Sequence, residues 1–282
     1  LTIQEGVLSF GLVQTANLDY GDIFIQAGAK LQASPNITRY QGNFNNQAGG
    51  FNANNGTWIY DLGGDRNYTS HQVDTFFRMI FLPPSGANDL TITAGDGFAV
   101  EQALFLEQSA IFNGSIYILD SLEVNPGYDN DGNSDIYFQG SSDGTFVANS
   151  TNGNHDFFID KATSSIKVDV LDENGGLLIF GSTNDDLHIL EGRLEFPSND
   201  PVNSNFINTL IESGGTFQAP SGSINFFGNW DNNQGKLEAN GGTFTFRPNG
   251  NRTYTTTEVD TFFNFIYNSD GNRALNMAAD DT

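Results

Sequence analysis

The densest run of metal-competent side chains is Asp129-Asn130-Asp131-Gly132-Asn133-Ser134-Asp135. Asp129, Asp131, Asn133 and Asp135 set oxygen ligands at alternate positions around a glycine. Ca²⁺ takes six to eight oxygens, so alternate carboxylates on a tight loop suit it. The spacing predicts a Ca²⁺ loop, and Ca²⁺ is the expected cofactor. The pattern is incomplete, because Gly140 stands where a closing bidentate Glu would sit. Asp172-Glu173, Asp185-Asp186 and Asp280-Asp281 are read instead as solvated corners.

A second constellation recurs. Arg66 and Asp74 are repeated at the same spacing as Arg252 and Asp260. Recurrence suits a structural role better than an active site, so a repeated salt bridge or corner hydrogen bond is expected. Catalytic signals are few. His71, His155 and His188 are scattered, and His71 is Thr257 in the other copy. The chain has no nucleophile elbow, zincin helix or phosphate loop. A polysaccharide lyase needs basic residues at its uronate, and here they are few and dispersed. Paired carboxylates could serve a glycosidase, but with 34 acidic residues any one pair says little. No catalytic residue is assigned and an enzyme is not expected.

The elements that carry these residues repeat. Residues 42–81 and 228–267 align without a gap at an offset of 186, with 18 of 40 positions identical. The match includes Tyr68/Tyr254 and the run Val73–Phe77 against Val259–Phe263. Residues 1–10 face 187–196 at the same offset, with Gly6/Gly192 and Phe10/Phe196 matching. The chain therefore divides into a first copy at 1–81, an intervening part at 82–186, a second copy at 187–267, and a renewed intervening part at 268–282. One continuous solenoid is expected. The end ADDT followed by the start LTIQEG reads like 182–192. A start at Leu1 without Met adds the expectation of a piece from a longer tandem array, or of a unit that continues head to tail.

Composition narrows the function. The net charge is −23 over 282 residues, with 32 Gly, 25 Phe and no Cys. Phosphate binding needs clustered Lys and Arg, so a nucleic-acid partner is excluded. No apolar run nears the roughly 20 residues of a membrane span. Absent Cys removes disulfides and thiolate chemistry. The 38% hydrophobic content can fill a large core, which argues against disorder.

Apolar residues alternate over short stretches bounded by Gly, Asn and Asp, which reads as half-buried strands. Helical turns are allowed only near Thr256–Ile266 and Asn203–Glu212. Asn-Gly and Asp-Gly pairs recur and supply corners. A right-handed parallel β-helix, or β-solenoid, fits best, with tandem β-sandwich domains as the alternative. The phrases AKLQASPN, GGFNANNG, GTFQAPSG and GKLEANGG echo one another. Leu31 to Phe51 and Phe217 to Leu237 are both 20 residues, a plausible coil. Asn side chains are expected to form ladders, and aromatic rows (Phe44/Trp230, Trp58/Phe244, Tyr68/Tyr254) to stack.

In order and wording, Gly228-Asn229-Trp230, then Gly242-Thr243-Phe244-Thr245-Phe246, then Thr261-Phe262-Phe263-Asn264-Phe265-Ile266 resemble the units of very long bacterial surface proteins built of tandem repeats. The first copy matches less closely, with Phe44 for Trp and Arg78 for Asn. The resemblance covers 1–81 and 187–267 and leaves the middle third unmatched. It implies an adhesin-like or scaffold-like extracellular protein with β-helical stretches, and no catalytic site. The expected function is therefore a structural or adhesive extracellular repeat protein, either a section of a long surface protein or a head-to-tail fibre. Expected partners are adjoining repeats or copies of itself, and cell-surface glycans. The competing reading is a β-helical polysaccharide-binding or depolymerising enzyme.

Overall fold

The structure is a computed structural model that describes residues 1–10, 18–61, 63–82, 88–107, 110–125, 132–148, 154–171, 185–196, 203–269 and 271–277. It is all β, with parallel strands stacked as a β-solenoid of about 11 turns. The chain forms two compact units, Leu1–Ile136 and Tyr137–Thr282. Among the described residues no helix is long and apolar enough to cross a membrane.

In the first unit each coil lays down strands on ladders shared with its neighbours. One ladder runs through Thr2–Ile3, Ile23–Ile25, Phe44–Asn46, Arg66–Ser70, Leu90–Ile92 and Ile111–Phe112. A second stacks Val7–Ser9, Lys30–Gln32 and Gly50–Asn52. A third carries Ile37–Tyr40, Thr57–Asp61, Asp74–Leu82 and Gly97–Leu106. In the second unit Leu187–Glu195 bears Thr209–Gln218, and that strand bears both Trp230–Asn233 and Lys236–Glu238. A separate ladder stacks Asn203–Phe206, Ser223–Phe226, Thr243–Phe246 and Asn264–Tyr267.

Every one of these pairings is parallel, which rules out the β-sandwich alternative, whose sheets are antiparallel. Parallel neighbours need a long connection, and here the rest of the coil supplies it. Leu31 lies on Phe51 and Phe217 on Leu237, the 20-residue coil the sequence suggests. Coil length varies: Phe98 lies on Ile116, whereas Phe158 lies on His188.

Period-two alternation sends one side of most strands inward. Ile23, Ile25, Phe44, Tyr68, Leu90 and Ile92 are fully buried along one ladder. Phe44 stacks on Tyr68 at 5.1 Å with an 8° interplanar angle, and Trp230 stacks on Tyr254 at 6.4 Å and 4°. The aromatic rows are therefore interior. Corners use left-handed residues, as at Asn113 (φ 58°) with Gly114 (φ 61°), and Asn240 (φ 46°) with Gly241 (φ 80°).

Neither segment at which the sequence allows a helical turn forms one. Asn203–Glu212 holds no helical turn but the strands Asn203–Phe206 and the start of Thr209–Gln218. Thr256–Ile266 runs from the end of Arg252–Thr256 into Asn264–Tyr267. Backbone groups there pair with the adjacent coil instead of within the segment, so coil stacking overrides local propensity.

Candidate functional site

The repeated Asp is the best-built polar feature. In the first unit Asp74 is 2% exposed. Its Oδ2 accepts hydrogen bonds from the Tyr68 hydroxyl and Ser70 Oγ, both at 2.9 Å. Its Oδ1 accepts from Asn46 Nδ2 at 2.7 Å and Gln72 Nε2 at 3.4 Å. Burial pushes the carboxyl above its ordinary value of 3.8, and the Ser70, Tyr68, Asn46 and Gln72 donors work against that rise. Burial likewise pushes the Tyr68 hydroxyl up, aided by the Asp74 charge.

The second unit rebuilds this corner with different parts. Asp260 Oδ2 accepts from Tyr254 Oη at 2.7 Å and Trp230 Nε1 at 2.9 Å, and its Oδ1 accepts from Asn232 Nδ2 at 2.6 Å. Asn232 is the repeat partner of Asn46 and Tyr254 of Tyr68. Trp230 replaces Phe44, so its indole supplies a donor that the first copy lacks.

Arg66 and Arg252 do not pair with these carboxylates. Arg66 Nε donates to Gln41 O at 2.8 Å and its Nη1 to Asp65 O at 2.9 Å. Arg252 Nε donates to Phe227 O at 3.2 Å, and its Nη2 to Asn249 Oδ1. Gln41 and Phe227 are again repeat partners. Each guanidinium thus caps a carbonyl one coil below.

Ladders of Asn and Asp join the coils. Asp22 Oδ1 accepts the Asn43 N–H at 2.7 Å, and Asn43 Oδ1 accepts the Asn67 N–H at 2.9 Å. In the second unit the series runs Asp156 to Asp186, Asp186 to Asn208, Asn208 to Asn229 and Asn229 to Thr253, at 2.9, 3.0, 2.9 and 3.0 Å. A side-chain oxygen thus satisfies a corner N–H that has no strand partner.

On another flank of the second unit, cations alternate with acids. Lys167 reaches Asp169 at 3.0 Å and Glu195 at 3.2 Å; Arg193 reaches Glu195 at 2.8 Å and Glu238 at 3.0 Å. Partial burial alone would raise Glu195, but the Arg193 and Lys167 hydrogen bonds outweigh it and hold the carboxyl below 4.5.

Of the Ca²⁺ candidates, Asp129 and Asp131 lie outside the described residues. Asn133 and Asp135 are described. Asn133 Oδ1 accepts the Asn113 N–H at 2.8 Å, a bond of the same ladder type, and the Asp135 N–H donates to Gly114 O at 3.0 Å. Asn133 thus already serves as an inter-coil cap, although an amide oxygen keeps a second lone pair. Among the described residues no three His, Asp or Glu converge as a metal site. Asp172-Glu173 and Asp280-Asp281 lie outside them too, whereas Asp186 belongs to the ladder.

The histidines do not converge. His188 lies in Leu187–Glu195, stacked on Phe158 at 4.6 Å, and His155 is buried. His71 donates its backbone N–H to Asn46 O at 3.1 Å.

Sequence reasoning missed two features of the second unit. Phe265, Ile266 and Tyr267 are 44%, 47% and 40% exposed. Beside them an apolar cavity of about 440 Å³ is lined by Tyr254, Phe262, Phe265, Leu275 and Met277 among others. A smaller cavity of about 330 Å³ is lined by Phe227, Arg247, Pro248, Asn249, Asn268 and Arg273. The second signal was available, because three of the 11 basic residues fall within 247–273. Comparison with protein-family models, curated proteins and solved structures finds no match.

Proposed function

We propose that this chain is a structural, adhesive repeat protein of the bacterial cell exterior, working as a stack of coils that further coils extend. The reading rests on one comparison between the copies. In the first, Asp74–Leu82 is covered by Gly97–Leu106, and Met79 and Phe81 are fully buried. Their repeat partners in the second copy are Phe265 and Tyr267, on a strand whose four residues are all exposed. Among the described residues no strand pairs on the far side of Asn264–Tyr267. An apolar strand with unpaired backbone groups is a template for another strand. A coil from a second copy, or from an adjoining repeat, completes it as Gly97–Leu106 completes the first. A head-to-tail contact that does not close builds a filament.

The polar groups fit a scaffold. Asp74, Asp260, Arg66 and Arg252 each make a hydrogen bond to the neighbouring coil, at Asn46, Asn232, Gln41 and Phe227. Negative-stain images of the chain over a range of concentrations test the reading. Rods that lengthen with concentration are expected. Particles of one fixed size that release reducing sugar from acidic polysaccharides would favour the enzyme instead.

A further inference from the structure

The cavity of about 330 Å³ on the flank of the second unit breaks the charge pattern of the chain. Phe226, Phe246 and Tyr267 are in register on successive coils. Phe227, Arg247 and Asn268 directly follow them, so these three form a column up the flank. Arg273 completes the wall: its Nη1 donates to Pro248 O at 2.9 Å, and its own carbonyl accepts from Tyr267 Oη at 2.6 Å. Arg252 stands behind, fixed to Phe227 O and Asn249 Oδ1.

Two guanidiniums, Arg247 and Arg273, thus line one cavity in a molecule of net charge −23, and Arg252 is bonded to two of its wall residues. Elsewhere in this unit Lys167, Arg193 and Lys236 are each paired with carboxylates. Among the described residues Arg247, Arg252 and Arg273 make no ion pair, and the exposed Arg247 guanidinium has no hydrogen-bond partner. The coil framework does not demand this. In the first copy the partners of Phe227 and Arg247 are Gln41 and Asp61. There Asp61 takes Arg39 at 3.6 Å and Gln41 Nε2 at 3.4 Å, so the corner neutralises itself. Only Arg66/Arg252 is common to both. The second copy has reversed the sign of the corner and added Arg273.

We propose that this corner binds the ring of an acidic sugar, a uronate residue of a polysaccharide. The planar guanidiniums of Arg247 and Arg273 match a carboxylate, which they can hold through paired N–H donors. Asn249 and Asn268 offer amide donors and acceptors to ring hydroxyls. Phe227 is half-buried and gives an apolar face for the C–H side of the sugar. The cavity is at the small end of ligand pockets, which run from about 300 to 1,000 Å³, so it takes one ring of a longer chain. The site needs only second-unit side chains and does not depend on coils adding end to end.

The test is calorimetric titration of the whole chain with trigalacturonate, its methyl-esterified form and inorganic sulfate at matched ionic strength. Trigalacturonate binds, and the ester and sulfate each bind about tenfold more weakly or worse, the loss expected for a charge-assisted, geometrically matched pair. Arg247→Ala weakens trigalacturonate by about tenfold while melting with the parent, since Arg247 is exposed; Arg39→Ala changes nothing. Equal binding of acid and ester, sulfate binding as well as the uronate, or an unaltered Arg247→Ala would each overturn the assignment. Sulfate binding as well as the uronate would leave an unspecific anion patch, and an unaltered Arg247→Ala would place the binding away from this corner.

Discussion

Asp74 has four hydrogen-bond donors and almost no contact with water. Asp74→Ala strands the buried Tyr68 hydroxyl and an Asn46 amide donor, while Ser70 Oγ keeps Gln72 O, and should cost about 3–5 kcal/mol in urea unfolding. Asp260→Ala should cost less, because Asp260 is half-exposed. The carboxyl also leaves a pH signature. Its native pKa lies above 3.8, so between 3.8 and that value the folded chain keeps a proton that the unfolded chain has lost. Its contribution to stability is full below 3.8 and falls as pH rises through the native value. The margin of the parent over Asp74→Asn should therefore shrink as pH rises across that window; a constant margin would contradict the account. The two buried tryptophans give a matched pair. Trp230 Nε1 donates to Asp260, whereas Trp58 Nε1 has no acceptor among the described residues. Trp230→Phe should cost about 1–2 kcal/mol more than Trp58→Phe. The recurrence of Asp74 and Asp260 was legible in the sequence. Their donors were not, because Asn46 and Tyr68 reach the carboxylate from different coils.

Along the strands, Gly6 and Gly192 are repeat partners with left-handed φ of 76° and 98°. A Cβ at Gly192 would meet Lys161 Cβ at 2.8 Å and Ile166 O at 2.9 Å, whereas one at Gly6 would meet nothing within 4 Å. Gly6→Ala should therefore cost only backbone strain, about 1–2 kcal/mol, and Gly192→Ala distinctly more. Thermal melts of the two variants compare them directly. The ladders make a second claim: Asn208→Ala should speed hydrogen exchange at the Asn229 amide and cost about 1 kcal/mol. Strands and coil length could be read from alternation and from the 20-residue echo between Leu31 and Phe51. The segments at Asn203–Glu212 and Thr256–Ile266 left a helical turn open because their pattern does not state where the backbone finds partners. In a solenoid those partners lie one coil away. The Asn ladders were foreseen in kind, but not which Asx caps which N–H, since coils range from 18 to 30 residues.

For the whole molecule, the net charge of −23 is a destabilising field that salt should weaken. The screening length falls from about 30 Å at 0.01 M to about 3 Å at 1 M, so the melting temperature should rise with sodium chloride. A further rise with millimolar Ca²⁺ at fixed ionic strength, reversed by EGTA, is expected if the loop at Asp129, Asp131, Asn133 and Asp135 binds the ion. The 186-residue repeat was plain in the sequence because Gly, Asn and aromatic positions recur together. The exposed second-copy strand was not, because Phe265 and Tyr267 look like Met79 and Phe81 until the covering coil is sought. That strand carries the functional account. Sedimentation velocity of the parent beside Ile266→Lys, which puts a charge on the open strand, tests it most directly. The account predicts species that grow with concentration in the parent and are lost in the variant; a parent that stays a single small species at every concentration would contradict it.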